Sequence, residues 1–309
     1  VKYLKEKLEK LSVLVFGDMY LDRDCIGNFE GKSKEDEKLS ILKVFAEKYQ
    51  PGGGGNLASC FASLGVKTTV VGLWGEKDDI NRQILEKQFE DRNISTLFMV
   101  ESGKTPVFGK FYIQNGKHIF RYDIVFENMT DKIEKTLSNK IKRSLYGVDF
   151  VVCADYNNSG IRDTVCKNAL THILISDMNK FATGRKDINK FKGFDNILLN
   201  DEEFIDRYNG KDETHLLEVL NTKSLTITSE GGAITYSNGI KYKSNSKQLI
   251  GEIDTCGCGD MFYAMYASSI MAGYNINISL KLANCAAGIV AKKLFGAAQA
   301  SIDEVIDSL

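Results

Sequence analysis

Seven residues ahead of an apolar stretch have the types and spacing to handle an anion: Asp254-Thr255-Cys256-Gly257-Cys258-Gly259-Asp260. Glycines at alternate positions let the chain turn tightly and bare its N–H groups. A helix starting there aims the positive end of its dipole at the same point. Cys256, Gly257, Cys258 and Gly259 therefore read as a phosphate site. Asp260 closes the string. A carboxylate beside a phosphate is repelled unless it has a task. The task that fits is to take a proton from a hydroxyl attacking phosphorus. The competing reading is a glycine loop that only caps a core helix, with Asp260 solvated.

Three more clusters follow apolar runs or precede helical ones. Asp18 and Asp22, in Gly17-Asp18-Met19-Tyr20-Leu21-Asp22-Arg23, come directly after the first such run. Open α/β sheets bind ligands beyond the carboxyl ends of their strands, where acids suit sugar hydroxyls or a metal. Asp18 could instead cap a turn. Pro51-Gly52-Gly53-Gly54-Gly55-Asn56 precedes a helical pattern and allows close backbone approach to a ligand, or is simply a turn. No Gly-Lys-Ser/Thr follows, so it is not a Walker loop. Asn200 and Glu203, spaced i, i+3, can face one way at a helix start, unless Asn200 is an ordinary N-cap.

The elements that must position these residues alternate. Short β-rich apolar runs recur at 13–16, 68–72, 96–100, 150–153, 173–175, 197–199 and 225–228. Helical patterns at 57–64, 80–91, 132–144 and 214–221 lie between several of them. That order predicts an α/β fold with a mostly parallel sheet. Three consecutive helices are expected at 261–272, 278–294 and 302–309. Residues 39–45 and 108–123 break the alternation. They read as strands of a small β flap, the second run turning at Asn115-Gly116.

Composition bounds the rest. The 309 residues suit one large domain or two smaller ones, the 43% hydrophobic share is enough for a well-filled core, and the net charge is −1. Such a balance draws the chain to neither nucleic acid nor membrane surfaces. Seven cysteines in mostly apolar or Gly-rich runs suggest buried thiols in a reducing cytoplasm rather than disulfides. No signal peptide and no apolar run of about 18 residues is visible. The chain starts at Val1 rather than Met, as expected of a trimmed or excised piece.

The Asp254–Asp260 string resembles the C-terminal signature of the ribokinase-like (PfkB) carbohydrate kinases. The G-D-x-x-L-D-R form at Gly17–Arg23 is similar to the bacterial D-glycero-D-manno-heptose-7-phosphate kinases. The likeness runs from Val13 to Ser301, with the motifs in the family's order. It implies a ribokinase-like three-layer α/β sandwich over 1–309, with lid strands from about 24–47 and 105–124. It implies Asp260 as catalytic base and the loop at 256–259 as the holder of the transferred phosphate. Asp18, Asp22, Gly52, Gly53 and Asn56 would bind the sugar. Asn200, Ser229, Gly232 and Asn284 would meet ATP, and Glu203 would act on Mg2+ and the phosphates. Lys110 and Arg121, on the flap, would hold a phosphate the sugar already carries. Asp155-Tyr156 and Asp177-Met178-Asn179-Lys180 resemble the subgroup's S-D-Y and D-P-K. Ser33 to Lys38 departs from its Pro-rich flap segment, and Cys258 replaces the usual Ala with an oxidation-sensitive thiol.

The expected reaction is ATP-dependent phosphorylation of the heptose 7-phosphate at its anomeric hydroxyl. The alternatives are another sugar kinase (fructose, ribose or a related sugar) or a non-catalytic sugar-binding regulator. A cytoplasmic homodimer joined through the β lid is expected. Some heptose kinases carry a fused nucleotidylyltransferase domain, which is not visible in these residues.

Overall fold

A computed structural model describes residues 3–114, 117–125, 130–156, 171–173, 178–185, 187–208, 213–294 and 296–309. Residues 13–16 are apolar without a break, the pattern of a strand buried on both faces. The fold uses them so. Val13 and Val15 enter one core, while Leu14 and Phe16 enter a second on the other side of the sheet.

The described strands are β1 (Ser12–Gly17), β2 (Met19–Lys32), β3 (Ser40–Gly53), β4 (Lys67–Val71), β5 (Leu73–Trp74), β6 (Val100–Glu101), β7 (Val107–Ile113), β8 (His118–Ile124), β9 (Phe150–Asp155), β10 (Asn179–Gly184), β11 (Asn196–Asn200), β12 (Ser224–Ser229), β13 (Gly232–Ser237) and β14 (Ile240–Asn245). The main sheet has the order β14-β13-β12-β11-β10-β9-β1-β4. It is parallel from β4 to β12 and antiparallel at β13 and β14. Helices cover both faces. Gly54–Ser63, Cys258–Met271 and Ile276–Val290 pack on one side. Asp131–Ser144 and Glu213–Leu220 pack on the other. The expected mostly parallel three-layer arrangement is what forms.

The lid is a four-stranded sheet, β3-β2-β7-β8. β2 and β3 are antiparallel partners from Met19↔Gly53, beside the main sheet, out to Lys32↔Ser40. Register shifts at Ile26/Gly27 and Phe29/Gly31 bend the pair. The expected turn at Asn115-Gly116 lies outside the described residues.

Two expected strands differ. Residues 96–100 turn instead of extending: Met99 N donates to the Thr96 carbonyl, and only Val100 joins the short β6. Ile173 is helical, and the rest of 173–175 lies outside the described residues. Among the described residues the strand after β9 is β10, a mixed polar sequence that apolar patterning does not reveal. Among the described residues, no helix is long and apolar enough to cross a membrane.

Candidate active site

Gly257 takes a left-handed conformation (φ 80°) and N-caps the helix Cys258–Met271. A β-carbon there would lie 3.2 Å from the Asn56 amide nitrogen and 3.1 Å from Ala297 Cβ, so glycine is needed twice over. Asp254 staples the loop. Its Oδ1 accepts from Cys256 N and its Oδ2 from Gly296 N, both at 2.9 Å. Cys258 N reaches the Thr255 carbonyl at 3.2 Å. Two of the four expected phosphate-binding amides are thus engaged within the chain. Gly257 and Gly259 carry that expectation, and Gly259 faces open space.

Asp260 lies in the first helical turn, where N–H groups lack intrahelical acceptors. Tyr156 Oη donates to its Oδ1. Asn56 Nδ2 donates to its Oδ2 at 2.5 Å. Burial pushes the carboxyl above its ordinary range, and these two hydrogen bonds pull it back. The result is a fixed carboxylate of raised basicity, suited to accept a proton.

Asn56 orients Asp260, and its own Oδ1 accepts from Gln299 Nε2 at 2.8 Å. Gly52 and Gly53 are also explained from within. β-Carbons there would fall 2.1 and 2.4 Å from atoms of the Tyr20 ring, and Gly53 has φ 56°. The buried Asp18 accepts from Tyr156 N at 2.9 Å, tying β9 to the start of β2.

On the lid side Asp22 is buried, and its Oδ1 is 3.6 Å from Lys110 Nζ. Burial raises the Asp22 carboxyl, against the pull of Lys110. Burial is the largest influence on Lys110 and opposes its charge, but Asp22, Cys256 and Asp24 together outweigh it and leave the ammonium more firmly protonated. Arg121 lies across from Lys110 on β8 and pairs with Asp123 at 2.6 Å. Both lid cations thus already have carboxylate partners.

A cleft of about 110 Å³ opens beside Asp260, lined by Tyr156, Arg185, Asn200, Glu203, Thr228 and Gly259 among others. Asn200 and Glu203 cap each other: Glu203 N donates to Asn200 Oδ1 at 2.6 Å, and Asn200 N to Glu203 Oε2 at 3.1 Å. The structural and functional readings of the pair therefore coexist, since Glu203 still borders the cleft. Ser229 and Gly232 flank the β12–β13 turn, with Ser229 Oγ donating to the Gly232 carbonyl at 3.3 Å. Asn284 reaches the same edge and donates to Ser244 O at 3.0 Å. No group of three metal-ligating side chains occurs among the described residues. A single carboxylate at an open cleft still fits Mg2+, which keeps most of its waters.

Sequence patterning missed Tyr156 as the donor to Asp260, and it missed Gln299 and Arg185. Lys180 sits early in β10, paired with Asp195 at 3.6 Å, while Asp177 lies outside the described residues. The cation at the carboxyl end of that strand is Arg185. Burial raises the Cys256 thiol to about 11 and the Cys258 thiol to about 12. Both directions favour the protonated thiol near neutral pH.

A family model described as pfkB family carbohydrate kinase matches residues 10–302. The bifunctional protein HldE of Sulfurimonas denitrificans is 28% identical over 310 residues, covering 95% of this chain and 63% of that protein. HldE of Vibrio cholerae is 26% identical over 306 residues, covering 92% and 61%. The chain thus spans less than two thirds of the length of these relatives. Arabidopsis thaliana ribokinase complexed with ribose and ATP matches with a TM-score of 0.74 at 16% identity, over 96% of this chain and 98% of that one. Escherichia coli phosphofructokinase-2 in complex with potassium gives 0.80 at 14%, over 96% and 97%. At such identities the likeness shows the fold, which is ribokinase-like.

Proposed function

Because the chain belongs to the pfkB family of carbohydrate kinases, we propose that it moves the terminal phosphoryl group of ATP to a sugar hydroxyl. The observation that carries this reading is Asp260, oriented by Tyr156 and Asn56 at the start of a helix and beside an open cleft. The acceptor oxygen attacks the terminal phosphorus and its proton passes to Asp260. The bond from that phosphorus to the bridging oxygen breaks, and ADP leaves. The Gly257 and Gly259 amides face the charge that develops. Bound Mg2+ would draw charge from the phosphate oxygens, with Glu203 holding it through water. Residues 1–309 would form a single kinase domain. Its lid would pair with that of a second copy, and a reaction fed by ATP belongs in the cytoplasm.

The acceptor we favour is D-glycero-D-manno-heptose 7-phosphate, phosphorylated at its anomeric hydroxyl. The likeness of Gly17–Arg23 to the heptose-phosphate kinases and the HldE relatives support it. One observation favours a second reading, a sugar without a phosphate. Lys110 and Arg121, the cations expected to hold the 7-phosphate, are already neutralised by Asp22 and Asp123. Turnover measured with the heptose 7-phosphate, D-fructose and D-ribose decides between the two. Asp260→Asn should lower kcat by about 10²-fold or more on the best acceptor, while the fold stays intact. A variant that keeps most of its rate removes Asp260 as the base.

A further inference from the structure

The cleft beside Asp260 carries a charge imbalance. Asp155, Glu203 and Asp260 all line it, and Arg185 is the cation among its described lining residues. The Lys190 ammonium stands behind the wall, paired with the buried Asp155. A triphosphate entering this space meets the carboxylates of Glu203 and Asp260, Asp155 being already offset by Lys190. The amides of the 254–260 loop supply only partial charges to offset them.

Arg185 is placed to answer that. It follows β10 directly, and its N–H donates to the Asp155 carbonyl at 3.1 Å, which fixes its backbone at the carboxyl end of the sheet. Its guanidinium lies over the Tyr156 ring, 5.3 Å from the centroid. Tyr156 is the residue that donates to Asp260. Arg185 Nε is 3.8 Å from Glu203 Oε1, longer than a hydrogen bond. Elsewhere in this protein Arg82 meets Glu101 at 2.8 Å and Arg23 meets Glu47 at 2.9 Å, while Arg82 and Glu86 stay 3.9 Å apart. Arg185 and Glu203 stand at ion-pair distance with no hydrogen bond between them, and the Arg185 side chain is 57% exposed. A guanidinium resting on an aromatic face keeps its edge donors available for two oxygens of a planar or tetrahedral anion.

We infer that Arg185 binds the non-bridging oxygens of the phosphoryl group as it passes from ATP to the sugar. The inference deepens the kinase reading and rests on it. Arg185 supplies a full positive charge between the base and Glu203, where charge accumulates on the transferred group. ADP lacks that group, so its binding does not need Arg185.

The test uses Arg185→Ala and Arg185→Lys with MgATP and whichever of D-glycero-D-manno-heptose 7-phosphate, D-fructose or D-ribose the wild type turns over fastest. Arg185→Ala should lose about 10²–10³ in kcat, the range for removing one donor to a transition-state oxyanion. The KM for the sugar should stay within about threefold, as should ADP affinity by titration calorimetry. Free guanidinium at millimolar levels should restore the Ala variant at least about tenfold without speeding the wild type. The Lys variant should fall between the two, and it replaces the Ala variant if that one fails to fold. Retention of more than a third of wild-type kcat overturns the inference. So does a loss that guanidinium does not repair, or a tenfold fall in ADP affinity. Inactivity of the wild type on every sugar is a different result: it removes the kinase reading and this inference with it.

Discussion

Asp24 shows what one buried carboxylate costs. It is 1% exposed, its Oδ1 has no hydrogen-bond partner, and Gln50 reaches its Oδ2 only at 3.3 Å. Burial raises the carboxyl from 3.8 to about 6, although Lys110 pulls the other way. The folded state therefore holds this proton more tightly than the unfolded state does. Stability from this group rises as pH falls through 6 toward 4, and the penalty is complete above 6. The gap corresponds to roughly 3 kcal/mol at most. Asp24→Asn should melt at a higher temperature than wild type at pH 8, with the difference shrinking to almost nothing at pH 4. Thermal unfolding at the two pH values checks this. A difference that does not change with pH would show that Asp24 titrates normally.

At the scale of the element, β2 and β3 join two environments. β2 begins among fully buried side chains at Met19 and Leu21 and ends exposed over residues 28–32. Amide hydrogen exchange should follow that gradient, slow over 19–25 and fast over 28–32 and 40–45. Uniform protection along the pair would contradict it. The same contrast explains which elements could be read beforehand. β1, β9, β11 and β12 are covered on both faces and show as short apolar runs. β13 and β14 alternate with Thr, Ser and Lys in the antiparallel part of the sheet, and they pass for loop. β10 hides behind Asn179, Lys180 and Thr183. The site divides in the same way. Asp260 and its glycines form one contiguous string, so their spacing carries a signal. Tyr156, Gln299 and Arg185 reach the site from distant segments as single residues. Apart from the S-D-Y likeness at Asp155-Tyr156, nothing local in the sequence marks them, and only the fold brings Tyr156 across 104 positions to Asp260.

At the scale of the molecule, the lid leaves apolar surface uncovered. Phe29, Leu39, Ile41, Phe45 and Phe120 are each between 43% and 60% exposed. β3 and β8 are the edge strands of a sheet too small to bury these residues by itself. A second copy of the chain laid against this face is the expected cover, in a symmetric pair. Light scattering at micromolar concentration should report a dimer, and a monomer would leave the lid without its proposed partner. The unbroken run of β2 and β3 carries this further. The β2–β3 pair that carries this face holds Asp22 and Gly53 at its inner end, directly after Asp18. A chain diluted away from its neighbour would keep its base and lose the support behind its acceptor pocket. Specific activity should then fall with dilution even when every chain is folded.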